Sequence, residues 1–104
     1  MRQRSEPLLF EKRVSSLPRL MEEVELLDLD SGIRTFGDYD GKKGQFVFVT
    51  RSPNDTYVLM VYEKRPGRPP VPGDRLLVKE FGDAGALEAF MRKLVSKPVR
   101  AFVY

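Results

Sequence analysis

Apolar positions along the chain follow two spacings. Leu17, Leu20, Met21, Val24 and Leu27 recur at the three- and four-residue intervals of one helical face. Ser15 and Ser16 offer a cap ahead of them and Pro18 suits a first turn, so a helix is predicted over residues 17–27. Residues 24–29 also alternate in places, as a strand would. Leu87, Phe90, Met91 and Leu94 repeat the helical spacing behind a cap at Asp83. Arg92, Lys93 and Lys97 stand near the end of that helix, where its dipole favours cations, and Pro98 stops it.

Between the helices the spacing shortens to that of strands, predicted over residues 33–39, 45–51, 56–64 and 74–81. The Gly-rich reversal through Asp40-Gly41 and the run Ser52-Pro53-Asn54-Asp55 are turn chemistry. Residues 65–73 hold four prolines, which fix φ and remove donors, and are read as a stiff crossing rather than a helix or central strand. A last strand over 99–104 is expected to return to an edge. At the other end, residues 1–7 read as a basic arm, and Leu8, Leu9 and Phe10 as a short strand or a loosely packed surface segment. The whole chain of 104 residues is read as one α+β domain: a single antiparallel sheet of about four to five strands with two amphipathic helices.

The central strands are apolar on both faces. Phe46 and Phe48 point one way and Val47 and Val49 the other; Tyr57, Leu59 and Val61 likewise oppose Val58, Met60 and Tyr62. Both faces then need cover. Either one helix packs on each, or both helices share a face and the other is covered by the N-terminal segment or by a further chain. A second copy is the favoured partner, since two-fold dimers are the commonest oligomers.

Composition removes whole classes of chemistry. There is no Cys and no His, hence no thiolate nucleophile, disulfide, thiolate zinc site or imidazole base. No cofactor, metal or catalytic role is expected. No apolar run approaches the ~18 residues of a membrane span, and the start MRQRSE lacks the apolar stretch of a signal peptide, so a cytoplasmic location is expected. The net charge of +3 is unevenly spread: residues 21–40 carry a net −6 between basic flanks. This reads either as a solvated, charge-mixed surface or as one acidic and one basic side that could meet a copy or a charged partner.

Several segments resemble known motifs in part. VELLDLDSGI, residues 24–33, resembles the first motif of haloacid dehalogenase phosphatases, in which Asp28 would be the nucleophile and Asp30 the acid/base. Gly32 stands where that family has Thr or Val, and the chain is too short for its doubly wound sheet. Asp38-x-Asp40-Gly41 resembles a calcium loop, but Lys42 and Val49 stand at its fifth and twelfth positions. Residues 43–49 resemble an RNA-recognition strand, with Gln45 where the first ring belongs. Four antiparallel strands followed by a helix is also the topology of single-strand-binding coactivator and whirly-type domains, which is an analogy of fold alone. Pro69-x-x-Pro72 lacks the flanking basic residue of a proline-rich ligand.

Two functional expectations result. The first is a non-catalytic assembly module that self-associates through a sheet face or edge. The second is a single-stranded nucleic-acid binder that stacks bases on Tyr57 and Tyr62 and holds phosphates with Arg34, Arg51, Lys64, Arg65, Arg68, Arg75 and Lys79. Phe46 and Phe48 are assigned to the core in both.

Overall fold

Six antiparallel strands form one sheet, and both helices lie on the same side of it. The structure, a computed structural model, describes residues 12–104; the basic arm and the Leu8-Leu9-Phe10 segment fall outside the described residues. In chain order the elements are β1 (Lys12–Val14), α1 (Leu17–Glu25), β2 (Gly32–Tyr39), β3 (Lys42–Arg51), β4 (Tyr57–Arg65), β5 (Val71–Phe81), α2 (Ala84–Leu94) and β6 (Ala101–Val103). The sheet order is β1-β6-β2-β3-β4-β5. No helix among the described residues is long and apolar enough to cross a membrane.

Local chemistry accounts for most boundaries. Ser16 is extended and its hydroxyl accepts from the Arg19 N–H at 3.4 Å, capping α1 with Pro18 in the first turn. The N–H groups of Leu26 and Leu27 bond back three residues, to the Glu23 and Val24 carbonyls, and this tighter spacing closes the helix at Glu25, two residues short of the predicted end. Leu27 is buried all the same. Asp83 caps α2 by accepting from the Ala86 N–H at 2.8 Å. Asp40 and Gly41, with φ of 53° and 78°, make the two-residue hairpin loop between β2 and β3, the backbone that suits the twist of paired strands.

Two expectations are corrected. The last strand does not lie at an edge: β6 sits between β2 and β1, with Val103 opposite both Ile33 and Lys12. The outer place is taken by β1, a three-residue strand with two charged positions and no pattern to announce it. The arrangement with one helix on each face is also ruled out. Leu20, Met21 and Val24 of α1 and Leu87, Met91 and Leu94 of α2 join a single cluster with Ile33, Val47, Val49, Leu59 and Val61 of the sheet. Among the described residues, no helix or strand covers the opposite face.

The end of α2 is pressed against β2. Gly37 bridges to Val95, and the Ser96 N–H donates to the Phe36 carbonyl at 2.8 Å. A Cβ at Gly37 would stand 2.8 Å from Val47 Cγ2 and 2.9 Å from the Leu94 carbonyl oxygen, so only glycine permits this approach. Ser96 Oγ also donates to Asp38 at 2.7 Å, and the Gly44 N–H donates to the same carboxylate oxygen at 3.0 Å. These bonds hold the Asp38 carboxyl below its ordinary range.

Gly37→Ala is expected to destabilise the fold by about 1–3 kcal/mol through overpacking, read as a lower urea midpoint with little change in slope. Because the folded-state pKa of Asp38 is depressed, its stabilising contribution is complete above the ordinary carboxylate range and is lost as pH falls through the depressed value. Ser96→Ala should move the Asp38 titration, followed by NMR, back up toward the ordinary range.

Candidate functional site

In an antiparallel ladder, directly opposed residues share a face. On the side away from the helices this places two rows across the sheet. One row runs Arg13, Phe102, Arg34, Phe48, Met60 and Val78; the other runs Phe36, Phe46, Tyr62 and Arg75. With Tyr104, which pairs with Gly32 and borders Phe48 and Tyr62, six rings therefore lie on this side, and among the described residues no helix covers it.

The rings pack against one another. Phe36 and Phe46 have centroids 5.6 Å apart, Phe46 and Phe48 6.1 Å, and Phe48 meets Tyr62 edge-on at 5.7 Å. Phe46 is 7% exposed although it takes no part in the helix-side cluster; Phe48 is half-buried. Phe46 is thus buried as expected and Phe48 only partly so, and both belong to an aromatic layer distinct from the helix-side cluster. Val47 and Val49, one residue away, fill the helix side.

Cations rest on this layer. The Arg34 and Arg13 guanidinium groups lie 4.8 and 5.7 Å from the Phe102 ring centre, and Arg100 and Lys64 lie 4.9 and 5.3 Å from that of Phe36. Their stems cover apolar ring surface while the charges stay at the water boundary. The loop between β4 and β5 forms the remaining wall. Pro69, Pro70 and Pro72, with the rings of Phe36, Phe46, Phe48 and Phe102, enclose a groove of about 660 Å³ whose charged lining groups, among the described residues, are Arg34, Lys64 and Arg100. Among the described residues, neither Lys64 nor Arg100 is paired with a carboxylate. Glu80, opposite Val58 at the far end of this face, is held by the Thr56 hydroxyl. The groove can therefore take a planar apolar group against its floor and an anion at its rim.

The residues singled out from sequence separate. Arg34, Tyr62, Lys64 and Arg75 come together on the open face. Arg65 and Arg68 stand at its margin on the proline loop, and Arg65 donates to Glu63 at 2.8 Å and lies 3.4 Å from Asp74. Arg51, Tyr57 and Lys79 belong to the other side. Tyr57 is buried beneath Arg51, which is paired with Asp55, and Lys79 lies over Phe81 and Phe90 against α2. Phe36, Phe102, Arg13 and Arg100 went unnoticed; register, set by pairing partners distant in sequence, is what brings them in.

The carboxylates that resembled catalytic or metal-binding motifs serve turns. Asp28 accepts from the Asp30 N–H at 2.9 Å, and both are exposed. No group of three or more potential metal ligands occurs among the described residues. Comparison with protein-family models, with curated proteins and with solved structures finds no match to this chain.

Proposed function

We propose that the chain is a non-catalytic module that binds single-stranded nucleic acid on its open sheet face. One observation carries this reading: a layer of rings bordered by cations, with no carboxylate among the described residues that wall its groove. Unpaired bases offer π-faces for Phe36, Phe48 and Phe102, and the phosphates of the same strand meet Arg34, Lys64 and Arg100. In a duplex the base faces are already stacked on each other, so a duplex gains the ionic contacts alone.

Self-association through this face is the weaker reading on charge. Two copies placed face to face would set Arg34, Lys64 and Arg100 against their own kind. Pairing through the free edge of β5 meets Pro72 and the charges of Arg75 and Lys79, devices that discourage strand addition.

The test is fluorescence anisotropy with a labelled mixed-sequence oligonucleotide, alongside light scattering. Three phosphate contacts give an expected slope of about −2 in log affinity against log salt, or about a 20-fold loss between 50 and 200 mM. The double variant Lys64→Gln/Arg100→Gln should reduce that slope to about −0.7. Phe48→Ala should cost about 1–3 kcal/mol of binding with the slope unchanged. A protein that ignores the oligonucleotide at low salt, and scatters as a dimer at every salt concentration, would overturn this reading in favour of assembly.

A further inference from the structure

Beyond the proline loop lies a second concavity of about 500 Å³, which shares Lys64 and Pro70 with the aromatic groove and adds Arg65, Gly67 and Arg68. Its lining differs in kind. Among the described residues it is lined by cations, prolines and glycine, with neither aromatic ring nor carboxylate. Such a pocket has nothing on which to stack a base, but it suits a phosphate.

Its two arginines are not equivalent. Arg65 is engaged by Glu63 at 2.8 Å and Asp74 at 3.4 Å, so its charge is largely offset and its pKa is raised by these partners. Arg68 has no carboxylate partner among the described residues. It sits on a loop held by Pro66, Pro69 and Pro70, where ordering on contact costs little conformational freedom.

Resting on the reading of the open face given above, we infer that a bound strand leaves the aromatic groove past Lys64 and is gripped on the far side of the proline loop through its phosphate backbone, with Arg68 as the principal contact. Lys64, which lines both concavities, marks the crossing point. The groove reaches from β6 to β4, about 15 Å at the usual strand spacing. A very short oligonucleotide can be held there alone, whereas a longer one must emerge and meet the loop.

This separates by length. Affinities of oligonucleotides of about four and about twelve nucleotides are compared for the wild type, Arg68→Gln and Arg65→Gln. Arg68→Gln is expected to weaken the longer strand about 3- to 10-fold, to lower its salt slope by about 0.7, and to leave the shorter strand unchanged. Arg65→Gln should have a smaller effect. Both positions are exposed, and melting curves check that the variants fold. An equal loss for both lengths, or none for either while wild-type binding persists, would overturn the exit path and leave the groove assignment standing. If the wild type binds neither length, the groove assignment itself fails and the exit path with it.

Discussion

The close approach at Gly37 organises both sides of the molecule. With no side chain there, the end of α2 reaches the β2 backbone, and Val95 and Ser96 are tied to Gly37 and Phe36. The chain then has only a few residues in which to turn back before β6. Thr35, fully buried on the helix side, donates its hydroxyl to the Arg100 carbonyl at 2.8 Å and fixes where that return begins. From this point Arg100 extends over Phe36 on the opposite face. One steric allowance in the core thereby sets the position of a cation in the groove.

The sequence made the sheet and helices legible because their signals are local. Ser16 and Asp83 as caps, Asp40-Gly41 as a turn, and the apolar periodicity of α1 and α2 each depend on a few neighbouring residues. Sheet order was less accessible. β1 has no hydrophobic pattern of its own and is a strand only because β6 offers it a partner, so the inward place of β6 could not be read either. The assignment of faces was the hardest part. When Phe46-Val47-Phe48-Val49 is apolar at every position, alternation separates the residues into two sets without saying which set meets the helices.

Shape offers the physical reason for the outcome. The compact β-branched valines take the side on which helix backbones must approach closely, and the flat rings take the side on which they need only lie against each other. Tyr57 and Tyr62 illustrate what parity decides. Five residues apart on one strand, they necessarily fall on opposite faces; one is buried beneath Arg51 and the other extends the aromatic layer. Charge does not divide as cleanly: Arg34, Lys64, Arg75 and Arg100 accompany the rings, while the helices expose Glu22 and Glu25 together with Arg19, Arg92 and Lys93.

The stacking of cations over Phe36 and Phe102 also bears on what the face does when nothing is bound to it. A bare aromatic layer is adhesive toward any apolar surface, and unspecific contact is its usual failure. Here each guanidinium or ammonium group acts as a removable cover, sheltering the ring while keeping a hydrated charge above it. An apolar partner would have to displace that cover and strip its water without return. An anionic, ring-bearing partner accepts the displaced charge in the same movement that exposes the ring. On the proposed reading, this arrangement would favour partners that bring a ring and an anion together.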